Sequence, residues 1–292
     1  MDNDTAATVS VHLPFASQTC DGAVMKIATW NINSVRRRTG NLTDWLKRAQ
    51  PDVLLLQEIK CQDEQFPRLE VEAAGYCCTI VGQKSWNGVA MVSRTRPQEV
   101  VHRALPGDDS DVQARYVEAR FATSAGGLNV ASIYLPNGNP VGTEKFPYKL
   151  GFMNRLHQRA QALLDGEELV VLGGDYNVCP TDVDVYDPPA WANDALCRPE
   201  SRQALRGILN LGYTDAFRAL YPSAIKAYSF WDYQAGAWNR NNGLRIDHLL
   251  LSPQAADRLK ACGIDKAERG RPEPSDHVPV WVELDAEVMA AA

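Results

Sequence analysis

Near the end of this 292-residue chain, Pro274 to Trp281 reads PSDHVPVW, so a carboxylate and an imidazole, Asp276 and His277, stand side by side before an apolar, strand-like run. Alone, such a dipeptide is more often a surface turn or a helix cap than a site. Its weight comes from four companions upstream: TWNIN (Thr29 to Asn33), LLLQEIK (Leu54 to Lys60), VVLGGDYN (Val170 to Asn177) and LRIDHLLL (Leu244 to Leu251). In the first three, an apolar run stops abruptly at Asn, Glu or Asp, which is how a buried strand delivers a polar side chain to the rim of a sheet.

The residue types define a chemistry. Glu58, with Asp276 and Asn31, offers oxygen ligands without an imidazole or thiolate partner, a set that suits Mg²⁺ or Mn²⁺ and disfavours zinc. A hard cation is the usual means of hydrolysing phosphate esters, whose uncatalysed cleavage is among the slowest reactions known. Asp175 and Asn177 are two apart in GGDYN, so an extended segment sends both to one face. Asp175 can then accept a proton from water while Asn177 donates its amide to a developing oxyanion. Gly173 and Gly174 leave room for close approach of another backbone or a ligand. For His277 the natural partner is Asp247, which would hold the imidazole cationic, fix its tautomer and aim a donor at a phosphate oxygen. His248, next to it, alternates to the opposite face and is expected to be packed or on the surface. Tyr134 ends a strand ahead of a turn through Pro136, Asn137 and Gly138; it either packs there or donates its hydroxyl to the ester.

Positioning these groups requires buried strands. The pattern predicts them at Lys26 to Asn31, Asp52 to Gln57, Tyr76 to Ile80, Val89 to Ser93, Arg115 to Phe121, Leu128 to Tyr134, Leu169 to Leu172, Leu244 to Leu251 and Val278 to Leu284. Helical spacing appears at Leu42, Trp45, Leu46 and Ala49, with Thr43 or Asn41 as cap, and over Phe146 to Leu164 and Ser201 to Leu211. Many strands with few long helices break the alternation that a doubly wound sheet or an eight-fold barrel needs. The expected class is α/β (α+β), two packed sheets with helices outside.

Composition sets the frame. With 45% hydrophobic residues the chain can bury a large core, and no linker or repeat divides it, so residues 25–285 are expected to form one domain. Residues 1–24 read as a disordered extension without the pattern of a secretion signal, and 286–292 as a short tail. There is no run of 18 apolar residues, and the seven cysteines form no C-x-x-C pair; both features point to a cytoplasmic protein with no membrane partner. The net charge of −6 is awkward for a protein that handles nucleic acid. Yet six acids lie in the terminal stretches, and setting them aside leaves a neutral body in which Arg36 to Arg38, Lys145 with Lys149, and Arg240 with Arg245 cluster near the polar strand ends.

Taken together, these strings resemble the exonuclease III family of abasic-site DNA endonucleases, within the endonuclease/exonuclease/phosphatase superfamily. The likeness runs from about Met25 to Leu284 through WNINSVR, PDVLLLQEIK, GQK (Gly82 to Lys84), NGVAMVSR, YLPNG, EKFPYK, GGDYNVCPTDVDVY, SFWDY, GLRIDHLLLS and PSDHVPVW. It implies a four-layered αββα sandwich of two mixed sheets with the site at one edge between them. It makes Glu58 the principal metal ligand, with Asn31 and Asp276 close to the metal and phosphate. Asp175 becomes the residue that activates water, Asn177 and Tyr134 phosphate contacts, and Asp247 with His277 a dyad. Arg36, Lys84, Asn137 and Arg245 are expected at phosphate or DNA. Phe230, Leu244 and Ile246 are expected to wall an apolar slot that admits a deoxyribose without its base and rejects an intact nucleotide. Where Asn33 stands some members have Asp near the metal, which leaves a second metal position open; where Asn137 stands others have Gln.

The implied activity is Mg²⁺-dependent hydrolysis 5′ to an abasic site in duplex DNA, with some 3′-phosphodiesterase, 3′-phosphatase or 3′-to-5′ exonuclease action. The implied partner is duplex DNA carrying abasic sites or blocked 3′ ends, handled by a monomer without an obligate protein partner. Two rival readings remain: a phosphodiesterase acting on lipid or inositol phosphates, and a DNA-binding module without catalysis.

Overall fold

The computed structural model describes residues 24–289, so the expected extension lies almost wholly outside the described residues. Twelve strands are present among them: β1 (Val24–Asn31), β2 (Val53–Gln57), β3 (Cys77–Val81), β4 (Val89–Ser93), β5 (Glu99–His102), β6 (Tyr116–Thr123), β7 (Gly126–Tyr134), β8 (Leu169–Asp175), β9 (Thr214–Asp215), β10 (Asp247–Leu251), β11 (Leu259–Ile264) and β12 (Val280–Asp285). They form two six-stranded mixed sheets, ordered β11-β12-β1-β2-β4-β3 and β5-β6-β7-β8-β10-β9. Helices α1 (Thr39–Ala49) and α2 (Arg68–Ala73) cover the first sheet; α3 (Lys145–Leu164) and, after the short α4 (Pro188–Trp191), α5 (Pro199–Asn210) cover the second.

Period-two alternation explains the layers. Met25 and Ile27 of β1, Val53 and Leu55 of β2, Leu128 and Val130 of β7, Val171 of β8, Leu249 and Leu251 of β10, and Val280 and Val282 of β12 all enter one core between the sheets. Their neighbours face outward: Ala28, Trp30, Leu54 and Leu56 pack with Leu42, Trp45 and Leu46 of α1, and Ala131, Val170 and Leu172 pack with Phe152, Leu156 and Leu205. Gly173 shows how tightly the sheets close, because a Cβ there would come 2.6 Å from Leu55 Cδ1 and 2.7 Å from Leu249 Cδ2.

Following each inward face to the end of its strand places Asn31, Gln57, Tyr134, Asp175 and Asp247 at one rim. β1 pairs parallel with β2 and β7 with β8, while β10 runs antiparallel to β8 with Asp247 directly opposite Asp175. The apolar core therefore ends in a polar layer, in which Thr29 donates to Gln57 at 3.1 Å and Gln57 donates to Ser132 at 3.0 Å.

Several boundaries differ from expectation. Helix α1 starts at Thr39 without a side-chain cap, earlier than Asn41 or Thr43, and Leu42 N–H already donates to Arg38 O at 2.9 Å. The expected strand from Leu244 begins only at Asp247; Leu244 instead forms isolated bridges to Val185 and Phe230. The expected tail is not free at its start: Ala286 is buried and Val288 bridges to Thr123. Among the described residues no helix is long and apolar enough to cross a membrane.

Candidate active site

At the shared rim Asn31 is the bridging residue. Its Nδ2 donates to Glu58 at 2.8 Å and to Asp175 at 2.9 Å, joining the end of β1 to the loops after β2 and at the end of β8. Both carboxylates face one amide, across the gap between the two sheets. Asp175 is buried and meets donors on every side: Asn177 N–H reaches one oxygen at 2.9 Å, and the Asn177 side-chain amide reaches the other at 3.2 Å. Asn177 adopts a left-handed φ of 47°, a conformation that asparagine tolerates, which folds its side chain back toward Asp175.

His277 completes the cluster. Its Nδ1 lies 2.9 and 3.1 Å from the two oxygens of Asp247, and its Nε2 lies 3.8 Å from Asp175. Burial disfavours the imidazolium, yet the negative charges of Asp247 and then Asp175 outweigh it and push His277 up to about 10. Asp247 is held in turn by Ser229, whose hydroxyl donates at 2.6 Å. Burial pushes Asp175 up to about 7, against the pull of His277 and with a further push from Asp247. For Glu58 burial raises the carboxyl, but the Lys60 ammonium and the Asn31 amide prevail and hold it below the usual range.

Lys60 was not among the candidate site residues, and Asn33 entered only as a position where some family members have Asp near the metal. Lys60 Nζ sits 2.7 Å from Glu58 and 2.6 Å from Asn33 Oδ1, while Asn33 Nδ2 donates to Asp276 at 2.9 Å. Glu58, Lys60, Asn33 and Asp276 thus form one chain of contacts. The signal was present, since Lys60 is two residues beyond Glu58 in the motif, but the positive φ values of Glu58 (50°) and Lys60 (52°) that turn its ammonium back are not visible in a sequence. Ser229 likewise precedes Phe230 in SFWDY, with nothing local to mark it.

The expected phosphate and DNA contacts divide. Tyr134 is half-buried beneath Arg115, whose guanidinium lies 4.7 Å from the ring centroid; burial, then Glu58 and Asp175, push its phenol well above its usual range. Arg36, Lys84 and Asn137 are exposed, and Asn137 Nδ2 donates to Asn177 Oδ1 at 3.1 Å. Arg245 corrects the expectation. It is 1% exposed and committed to Asp184 at 2.7 Å and Asp215 at 2.9 Å, so its guanidinium ties loops together beneath the surface. Phe230 is half-buried, its ring centroid 4.9 Å from that of His277. Leu244 and Ile246 are buried in a cluster with Cys179, Val185, Leu196 and Cys197; they back Phe230 and are not themselves an open wall. His248 is buried between Val178 O (2.9 Å) and Arg245 (3.1 Å).

Asp175, Asp247 and His277 bring ligand-type atoms within 4.8 Å of one another, close enough to surround one cation. A cationic imidazole has no lone pair for a metal, however, and His277 Nδ1 is already engaged with Asp247. Glu58 and Asp276 offer carboxylate oxygens of the kind a hard divalent ion takes, with Glu58 held below the usual range, while Asn31 turns its Nδ2 to Glu58 and its Oδ1 accepts from Asn33 N–H at 3.1 Å.

Comparison with known proteins gives the chain's family. A model of the Endonuclease/Exonuclease/phosphatase family matches residues 28–277, and the chain belongs to that family. Within it the relatives are of the exonuclease III type. The chain is 36% identical to Exodeoxyribonuclease III of Haemophilus influenzae over 89% of its own length and 100% of that protein. Its fold superposes on a structure of the 3′ phosphatase NExo from Neisseria bound to product DNA hairpin, with TM-score 0.85, 38% identity and coverage of 89% and 99%. It superposes equally on an AP endonuclease from Archaeoglobus fulgidus, with TM-score 0.84, 35% identity and the same coverage.

Proposed function

We propose that the protein is a divalent-metal-dependent DNA repair hydrolase that cuts the backbone 5′ to abasic sites in duplex DNA. It would leave a 3′-hydroxyl and a 5′-deoxyribose phosphate, and would also remove 3′-blocking phosphate groups and degrade 3′ ends. The observation that carries this reading is the Asn31 amide joined to both Glu58 and Asp175, beside His277, whose Nδ1 lies 2.9 Å from Asp247. That edge has hard-cation ligands on one side and a proton acceptor on the other.

Glu58, Asn31 and Asp276 would hold the ion, here taken as Mg²⁺ with Mn²⁺ as substitute, which supplies positive charge to the phosphate when bound. The remaining work falls to the chain. Asp175, with its carboxyl raised toward neutrality by burial, accepts a proton from the attacking water more readily than an ordinary aspartate. Its bonds to Asn31 and Asn177 fix the carboxylate plane and so the direction of approach. His277, cationic and oriented by Asp247, presents Nε2 as a donor to a phosphate oxygen. Tyr134 adds a neutral donor at the same edge, and Asn177, whose amide here donates to Leu135 O and Asp175, would add another on turning to the phosphate. Arg36, Lys84 and Asn137 are exposed and would meet the DNA backbone. Phe230, its ring tilted against that of His277, offers the apolar face beside which an extruded sugar would rest.

Removal of a 3′-phosphate breaks the same bond between phosphorus and a 3′ oxygen and releases phosphate in place of a 5′-phosphorylated strand, so the Neisseria relative favours it as a companion activity. The test is a rate comparison in Mg²⁺ on four substrates: a duplex with one tetrahydrofuran abasic analogue, a nicked duplex with a 3′-phosphate, an undamaged duplex, and phosphoinositide vesicles. The proposal expects the abasic duplex to be cut fastest and the vesicles untouched. Cleavage of vesicles with intact DNA would transfer the assignment to lipid phosphodiesters, and binding without cleavage would make the protein a DNA-binding module.

A further inference from the structure

Lys149, in the first turns of α3, is fully buried. Its ammonium donates to the carbonyl of Asn177 at 2.6 Å and to that of Asn137 at 3.1 Å, and it forms no salt bridge among the described residues. Burial pushes the amine down to about 7, against the pull of Asp175 and then Asp194. Withdrawing an ammonium from water is costly when no carboxylate pairs with it, and a methionine would fill similar volume without that penalty. The charge and its donors must therefore serve a purpose that packing does not.

The two carbonyls belong to the loops that carry the site. Asn137 follows β7 and Asn177 follows β8, and their side chains meet where Asn137 Nδ2 donates to Asn177 Oδ1 at 3.1 Å. Asn177 Nδ2 is left to face Leu135 O at 2.9 Å and Asp175 at 3.2 Å. One ammonium thus anchors the backbones of both asparagines, and through them the direction of the Asn177 amide. The neighbouring loop is shaped around the lysine: Gly138 has φ 90°, and a Cβ there would lie 2.7 Å from Lys149 Cδ.

We propose that Lys149 is a positioning residue for phosphoester hydrolysis. Its terminal nitrogen clamps the Asn137 and Asn177 loops in register and, when protonated, sets a positive charge behind Asp175, without touching the substrate. This rests on the hydrolytic reading of the site and not on the abasic preference.

The test compares K149M, K149Q and K149R with wild type. Single-turnover rates are measured on whichever duplex wild type cuts fastest, whether abasic, 3′-phosphate or undamaged, and Kd for the same duplex is measured in chelator. A failure of the abasic assignment then changes the substrate and leaves the comparison intact. K149M is expected to slow the chemical step by about 30- to 100-fold, with Kd within about threefold, because a misaimed donor and a lost charge act on the transition state. K149R should recover most of the rate, and K149Q, which keeps donors without charge, should fall between. The proposal is overturned by K149M turning over within about twofold of wild type, by Kd weakening in proportion to the rate, or by K149R being no faster than K149M. Should K149M fail to fold, the other pair decides: K149Q at least tenfold slower than K149R supports the clamp, and equal rates overturn it.

Discussion

Replacing Asp175 with asparagine removes a proton acceptor while barely changing shape, and the structure sets the size of the effect. Both oxygens of Asp175 face donors only: Asn177 N–H on one, and the Asn31 and Asn177 side-chain amides on the other. In D175N the new NH₂ must oppose at least one of these. Turning it toward Asn177 N–H breaks a single bond, whereas the other orientation breaks two. The structural cost is therefore about 1–3 kcal/mol at most, offset in part by loss of a buried charge, and the variant should fold. A general base contributes about 10²- to 10⁴-fold, or roughly 3–5 kcal/mol of barrier. We expect kcat on a tetrahydrofuran-containing duplex to fall by that factor. Affinity for the same duplex in chelator should stay equal or tighten, since one negative charge has left the vicinity of a polyanion. Quenched-flow cleavage paired with fluorescence anisotropy separates the two quantities. A kcat within tenfold of wild type, or a fall in binding that accounts for the lost rate, would refute the role given to Asp175.

Three further outcomes follow from the same geometry. E58A should raise the Mg²⁺ concentration for half-maximal activity by about tenfold or more; an unchanged titration removes Glu58 from the metal site. R245M should leave Asp184 and Asp215 without their buried partner and lower stability in urea melts by about 3–5 kcal/mol, with near-normal DNA affinity per folded molecule. The reverse pattern would return Arg245 to the DNA surface. Asp184 sets an acid limit. Burial would raise its carboxyl, but Arg245 and Arg218 bring it down from 3.8 to about 2. A depressed folded value means that stability is fully present above the unfolded value and is lost as pH falls through the folded one. On the order of 2 kcal/mol should therefore disappear between about pH 4 and pH 2. Urea melts across that window should show it, and D184N should flatten that part of the slope.

How legible the site was depends on what each residue's placement rests on. Asn31, Asp175 and Asp247 lie in or at the end of regular strands, so alternation alone carries them to the inner face, and an apolar run that stops at a polar residue reveals the rim. Lys60 and Asn33 act through left-handed backbone turns, which no periodicity encodes. Arg245 shows the opposite failure. It lies two residues before Asp247 in the segment Leu244 to Ile246, which precedes the ladder; Leu244 bridges to Val185 and Phe230, and the guanidinium lies inward on Asp184. The sheet edges were hard to see for a related reason. In β5, β9 and β11 most residues are half-buried, so the contrast between inward and outward positions that marks β1 or β8 is missing. Ser229 and Lys149 are held by tertiary partners far along the chain, and a sequence shows neither partner.

The central claim is that this edge makes water attack the phosphorus on the 5′ side of an abasic residue. The most direct measurement is end-group analysis of a tetrahydrofuran-containing duplex labelled at both ends of the damaged strand, with wild type in Mg²⁺ or chelator. The account predicts one incision, an upstream fragment ending in a 3′-hydroxyl that a polymerase extends, and no incision in chelator. An upstream fragment bearing a 3′-phosphate, or an intact duplex under conditions where wild type hydrolyses another phosphodiester, would contradict it.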